Sequence, residues 1–156
     1  MMKRLSVLLL SVLCGLLLAG CAPRRSTDLS GILVDGKAPG ADFASLDLSR
    51  YHESDRYTGK QTYRFEELVL DERNGAVCYL FARMDEGVAV TVKGEQPTTL
   101  TQLTELLGEG YTDDSYDREQ QLRARRYADA ERGVTAEFVY SRLDETLLWV
   151  TLEQTT

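Results

Sequence analysis

The pattern of apolar positions predicts one amphipathic helix in the second half of the chain. Four leucines at helical spacing form a single apolar stripe: Leu100, Leu103, Leu106 and Leu107. Thr99 and Gln102 have the spacing of a capping box, in which the hydroxyl and the amide satisfy free backbone N–H groups at the helix start. Gly108 is expected to end the helix in a left-handed conformation. The leucine stripe is therefore expected to pack on a sheet.

Alternating apolar residues predict a hairpin on either side of Asn74-Gly75, the preferred dipeptide of a two-residue turn. Such a turn is expected to pair Leu70 with Tyr79 and Leu68 with Phe81. Those four residues would share the core face with Val77. Cys78 and Leu80 are then expected on the opposite, mixed face.

A second hairpin is predicted from residues 134–141 and 147–152. One face is expected to carry these side chains: Ala136, Phe138, Tyr140, Leu148, Val150 and Leu152. Trp149 is expected to point the other way. The preceding stretch has helical propensity, but the pattern of the second half favours a strand from Leu122 to Ala128.

A weak internal repeat organises these elements. Residues 34–39 match residues 92–97, Tyr51 corresponds to Tyr111, and residues 67–70 match residues 137–140 at offsets of 58, 60 and 70. In the first copy Asp42 can cap a short helical turn that carries Phe43 and Leu46. Each copy thus follows the order strand, short helix and hairpin. The expected fold class is α+β, with two tandem small units at 31–86 and 87–156, each a short helix packed on an antiparallel sheet.

The N-terminus has the layout of a secretory signal peptide. A basic head, Met1-Met2-Lys3-Arg4, precedes a largely apolar run from Leu5 to Ala19. That run of 15 residues is shorter than the roughly 20 residues that a membrane-spanning helix needs. Export is therefore expected.

The run ends in Leu18-Ala19-Gly20-Cys21, which resembles the lipobox of bacterial lipoprotein precursors. The resemblance implies a diacylglyceryl group on the Cys21 thiol and cleavage between Gly20 and Cys21. Residues 1–20 would be the signal peptide, and the small, polar residues 21–30 a lipidated tether. The expected location is the extracytoplasmic side of the cell membrane or outer membrane, where more than one acyl chain gives a stable anchor.

Charge and cysteine content narrow the function classes. Loss of Lys3 and Arg4 with the signal leaves 16 basic against 25 acidic side chains, a formal charge of −9. Nucleic acid is thus not an expected partner, since its binding requires neutralisation of phosphates. With Cys14 removed and Cys21 lipidated, Cys78 stands alone and no intramolecular disulfide can form.

The order of a strand, a Leu-rich helix ending in Leu106-Leu107-Gly108, and antiparallel strands resembles two known families. These are the small helix-plus-sheet units of β-lactamase inhibitor proteins and of the small outer-membrane lipoprotein A group. The resemblance covers roughly residues 31–153 and rests on pattern, so it transfers no binding residue. It implies a protein that binds other proteins and catalyses nothing.

Candidate chemistry is sparse, and neither a cofactor, a metal site nor a catalytic site is predicted. Cys78 with His52, the only histidine, could form a nucleophile and base. A cysteine within an apolar strand is more typical of a small core residue. Asp113, Asp114 and Asp117 could bind a cation, although their spacing lacks the pattern of a calcium loop.

The only basic cluster is Arg123, Arg125 and Arg126, which on so acidic a protein is expected to pair with the chain's own carboxylates. Aromatic residues offer a stronger hypothesis. Trp149 and three tyrosines could form a recognition face, because such side chains are enriched at interfaces: Tyr111, Tyr116 and Tyr127. The alternative is that these aromatics form a second core layer.

The leading hypothesis is a membrane-anchored lipoprotein that binds another protein of the cell envelope and is not an enzyme. Two alternatives stay open: an envelope sensor that binds a small ligand or a cation through residues 112–117, and an envelope hydrolase that uses Cys78.

Overall fold

The structure, a computed structural model, describes residues 26–57 and 60–155. The described strands and helices are β1 (Ile32–Val34), a 3₁₀ turn (Phe43–Ser45), β2 (His52–Tyr57), β3 (Lys60–Phe65), β4 (Leu68–Arg73), β5 (Ala76–Arg83), β6 (Val90–Val92), α1 (Leu100–Leu107), β7 (Tyr111–Asp117), β8 (Leu122–Asp129), β9 (Val134–Ser141) and β10 (Leu147–Gln154). The predicted signal peptide, Gly20 and Cys21 lie outside the described residues. No helix within the described ranges has the length and apolarity needed to cross a membrane.

Eight strands form one antiparallel sheet in the order β2-β3-β4-β5-β10-β9-β8-β7, and β1 pairs with β6 in a separate ribbon. The predicted α+β class with two tandem units is therefore wrong, because the chain is mainly β and both halves share one sheet. The halves join where β5 pairs with β10. Had each half kept its own sheet, these two strands would have been exposed edges with unpaired backbone groups. The helix expected in the first half is only a 3₁₀ turn, capped by Asp42 as predicted.

The internal repeat corresponds to matching local geometry. Val34 and Lys37 exchange two backbone hydrogen bonds, and Val92 and Glu95 do the same 58 residues later. In both turns the two central residues have positive φ. Equivalent strands also meet each other: Leu33 pairs with Thr91, and Phe81 pairs with Thr151. The sheet thus has an approximate twofold arrangement about the β5–β10 pair.

The core lies between one face of the sheet and a layer made of α1 and the β1–β6 ribbon. We call this surface of the sheet the inner face and the opposite surface the outer face. Leu100, Leu103 and Leu107 are buried against the inner face, which confirms the predicted stripe. The Gln102 backbone N–H donates to Thr99 Oγ1 at 3.4 Å. The Gln102 side chain accepts from the Thr98 N–H at 2.8 Å, one residue earlier than the predicted capping box requires.

A β-bulge at Cys78 changes the first hairpin. Next to the Asn74-Gly75 turn the register is the predicted one, and Glu72 lies opposite Val77. The following pair is Asp71 with Tyr79, so Cys78 is an extra residue in β5. A bulge of this kind shifts every later pair by one residue.

Val77, before the bulge, is buried as predicted, but after Cys78 the shift reverses the faces that the pattern predicted for β5. Leu70 pairs with Leu80 and Leu68 with Ala82, and all four side chains are fully buried. The aromatic residues expected at the two β5 positions lie on the outer face instead: Tyr79 and Phe81. The predicted pairing was wrong because a single inserted residue turns every following side chain to the other side of the sheet.

The second hairpin follows its prediction more closely. Leu122–Asp129 is a strand, and the inward residues of β9 are buried as expected: Ala136, Phe138 and Tyr140. A register shift between Leu147 and Trp149 keeps Val150 in the core. Leu148 does not share that face as predicted, since it packs with Trp149 in a small second cluster.

Candidate binding face

The four aromatic residues proposed for recognition do not form one surface. Tyr111 and Tyr127 are directly paired across β7 and β8, and their ring centroids are 5.8 Å apart. Tyr127 is in the core and is only 1% exposed. Tyr116 and Trp149 contact each other on the outer face, with ring centroids 5.5 Å apart. Both proposed roles therefore occur: the first pair belongs to the core layer, and the second pair lies on the outer face.

Tyr111 belongs to a structural cluster around Arg125. The Arg125 guanidinium lies 3.5 Å from the Tyr111 ring centroid and donates two hydrogen bonds of 2.8 Å to the Asp113 carboxylate. It also donates to Thr104 Oγ1 of α1 at 2.6 Å. Burial acts to lower the pKa of Arg125, but the Asp113 carboxylate outweighs burial and raises it. Burial raises the pKa of the neutral acid Tyr127. This cluster links α1 to the sheet and is fully paired.

Arg126 lies on the outer face and is also paired. It donates to Glu137 and, at 3.0 Å, to Asp114. The hydrogen bond to Glu137 raises the pKa of Arg126. For Arg125 and Arg126 the expectation that the basic cluster pairs with the chain's own carboxylates is confirmed.

The acidic residues proposed as a cation site are dispersed along β7. Asp113 faces the core and binds Arg125, whereas Asp114 lies on the outer face and binds Arg126. Asp117 accepts the backbone N–H groups of Glu119 and Gln120 in the next turn. Within the part of the chain that the structure describes, no cluster of three or more potential metal ligands occurs.

Cys78 and His52 are far apart. His52 lies on the edge strand β2, and Cys78 lies on β5, three strands away. Three strand spacings correspond to about 14 Å. The buried Cys78 thiol contacts the Asp71 carbonyl oxygen at 3.4 Å. These two side chains cannot act together as nucleophile and base.

The outer face carries a groove at the end of the sheet near Gly110. Its volume is about 730 Å³, and its lining combines polar threonine and glutamate side chains with a larger apolar surface. The outward side chains that line it are Thr112, Arg126, Ala128, Thr135, Glu137, Thr151 and Glu153. No helix or loop among the described residues packs over this surface as α1 does over the inner face.

Aromatic residues border this groove on the β5 side. Tyr79 and Phe81 are half-buried and lie beside Glu153 and Thr151. Burial raises the pKa of Tyr79. The alternation of β5 had assigned both residues to the core, so only the position of the bulge at Cys78 would have revealed them as part of this face.

The other end of the outer face carries Trp149 above the small cluster of Leu122, Ala124 and Val139. The Arg83 guanidinium lies 5.5 Å from the Trp149 ring centroid and is held by the Asp85 carboxylate at 2.6 and 2.7 Å. The same hydrogen bonds lower the pKa of Asp85. Trp149 is thus held in place, while Tyr116 beside it is 51% exposed.

Comparison with protein families, curated proteins and solved structures finds no match for this chain. The resemblance to β-lactamase inhibitor proteins and to the small outer-membrane lipoproteins stays a prediction based on sequence pattern.

Proposed function

We propose that this chain is a lipoprotein of the cell envelope that is anchored through Cys21 and binds another protein through the outer face of its sheet. The observation that carries the binding proposal is the outer face, with half-exposed aromatic residues around a groove of mixed apolar and polar lining. One side of the eight-stranded sheet is covered by the helix layer, whereas no helix or loop of residues 26–57 and 60–155 covers the other side.

The side chains of this face suit protein recognition. Tyrosine, tryptophan and arginine are the residues that most often dominate binding at interfaces. Three aromatic side chains of this face already pack against side chains of neighbouring strands: Tyr79, Phe81 and Trp149. They therefore lose little rotamer freedom when a partner binds.

The alternatives have less support. The carboxylates of the proposed cation site are each engaged separately, and the proposed nucleophile and base are far apart, as described above. A binding surface is the arrangement that the outer face favours.

The experiment is capture of envelope proteins with the full-length protein in membranes. Thr151→Arg places a long cation in the middle of the groove lining, where it can extend into solvent without disturbing the core. We expect this variant to lose the captured partner. Leu143→Ala is the matched control, since Leu143 is 76% exposed in the β9–β10 turn and lies outside the groove.

Capture that persists unchanged with Thr151→Arg would refute the outer face as the binding surface. Failure of the parent protein to retain any specific protein from the envelope would refute the binding function itself. Far-UV circular dichroism of both variants checks that the sheet is intact.

A further inference from the structure

The chain just before β1 is docked on the domain. Residues 26–30, which we call the strap, were predicted to be part of a tether. The Thr27 backbone N–H donates to the Ala128 carbonyl at 2.8 Å, and Ser26 Oγ accepts the Ala130 N–H at 3.0 Å. Leu29 is only 2% exposed and belongs to the main core. The strap thus extends the edge of the sheet beside the last residues of β8.

One buried carboxylate joins the strap to the β8–β9 turn. Asp129 is 4% exposed. Its Oδ2 accepts the Leu29 N–H at 3.1 Å, and its Oδ1 accepts the N–H groups of Glu131 and Arg132 at 3.2 and 3.1 Å. A buried carboxylate is tolerated only with such hydrogen bonds. Asp129 therefore holds the strap and the turn in one arrangement.

The strap limits how far the domain can move from Cys21. Only residues 22–25 separate Cys21 from Ser26, and five extended residue steps span at most about 18 Å. If residues 26–30 were also free, the same calculation would give about 35 Å. Docking of the strap halves the reach of the chain.

The strap and the end of the outer face that carries Trp149 lie at opposite ends of the strands of the sheet. The strap contacts the Asp129 end of β8. Trp149 pairs with Val139, which pairs with Ala124 near the start of β8. Ala124 lies five residue steps from Asp129, about 17 Å along the strand, and the two ends of this eight-residue strand are about 24 Å apart.

We propose that the strap, held in place by Asp129, is a short tether, which we call the leash, between the domain and Cys21. It keeps the β8–β9 turn next to the anchoring membrane and directs the Trp149 end of the outer face away from that membrane. The groove lies at the strap end and Trp149 at the far end, so the partner is a protein outside the anchoring bilayer that covers the outer face from end to end, and not a lipid surface. This inference rests on the proposed anchor at Cys21.

The test is energy transfer from a dye on the domain to acceptor lipids in liposomes. The full-length chain is produced with its own signal in a bacterium that processes lipoproteins, and is then reconstituted. The dye is placed at Glu131→Cys or Leu143→Cys, two exposed positions at opposite ends, each combined with Cys78→Ala. Because the two dye positions flank opposite ends of the eight-residue strand β9, which are about 24 Å apart, we expect energy transfer from position 131 to be about twofold or more above that from position 143.

Two variants lengthen the leash in different ways. Insertion of ten Gly and Ser residues after Arg25 leaves the strap untouched, and Asp129→Asn weakens the hydrogen bonds that hold the strap in place. Both are expected to reduce the difference between the two dye positions. The insertion keeps the test decisive if Asp129→Asn does not fold.

The outcomes separate this inference from the proposed function. Liposome-bound parent protein with equal transfer from both positions overturns the leash and leaves the anchor standing. Parent protein that does not associate with liposomes, as expected for Cys21→Ser, overturns the anchor and the leash together. Loss of partner capture with an intact difference in transfer overturns only the binding function.

Discussion

Two neighbouring arginines show how strongly burial decides the contribution of an ion pair to stability. Arg125 and Arg126 each bind an aspartate of β7, and nothing in the sequence distinguishes the two pairs. The Arg125 side chain is 7% exposed, whereas that of Arg126 is 54% exposed. Breaking a buried pair leaves an uncompensated charge, while an exposed pair contributes little.

We therefore expect Asp113→Asn to lower the free energy of unfolding by about 3 kcal/mol, since it leaves the Arg125 guanidinium without its counter-ion. The matched change Asp114→Asn is expected to cost less than about 1 kcal/mol, because Arg126 keeps Glu137 and water. Urea denaturation at neutral pH measures both values. Equal losses would show that the Arg125 cluster does not link α1 to the sheet as described.

At the level of elements, strands were easier to predict than the faces they present. The alternation in β5 is real, but the bulge at Cys78 moves Leu80 into the core and Phe81 onto the outer face. The reason is physical: a strand has a side-chain period of two, so one extra residue exchanges the faces. The candidate site was affected most, since its β5 aromatics could not be found by alternation alone.

The repeated turns after β1 and β6 allow a direct test at this scale. Gly36 and Gly94 have φ values of 74° and 86°, and a Cβ at either position would meet no atom within 4 Å. Replacing each by Ala is expected to cost about 1 kcal/mol through backbone strain alone, and by the same amount in both turns.

Gly133→Ala serves as the contrasting variant. A Cβ there would lie 2.9 Å from the Thr155 carbonyl oxygen, so a steric cost adds to the strain and the loss should be larger. Thermal unfolding of the three variants compares them. A clear difference between Gly36→Ala and Gly94→Ala would mean that the two turns are not equivalent.

At the scale of the whole molecule, the pairing of β5 with β10 makes the two halves one structure. Five residue pairs cross this boundary, and the core of each half continues through it. The strap, the ribbon of β1 and β6, and α1 all pack on the same continuous sheet. Such an arrangement is expected to unfold in a single cooperative step.

We expect one urea transition in which Trp149 fluorescence, a probe of the second half, coincides with far-UV circular dichroism, a probe of both. Leu68→Ala and Phe138→Ala lie in different halves and remove fully buried side chains, at a cost of about 2–5 kcal/mol each. Both should move the entire transition to lower urea. Two separate transitions, with Leu68→Ala shifting only one of them, would contradict the single sheet.

Local signals in the sequence were sufficient for several elements. The capped helix from Leu100 to Leu107, the Asn74-Gly75 turn, the strand at residues 122–129 and the outward position of Trp149 all depend on neighbouring residues. The sequence also carries the repeat, because equivalent turns need equivalent backbone conformations. The signal peptide and the anchor at Cys21 are also predicted from local sequence features, and both stay predictions.

Tertiary structure alone decided that two repeats share one sheet, that Cys78 forms a bulge, and that residues 26–30 dock on the domain. Each depends on which distant backbone groups find hydrogen-bond partners, as when β5 meets β10 or Asp129 receives the Leu29 N–H. Hydrophobic patterning determines which side chains must be buried, but many pairings satisfy it equally. Only the packed molecule selects the pairing in which α1 and the β1–β6 ribbon cover the inner face of a single sheet.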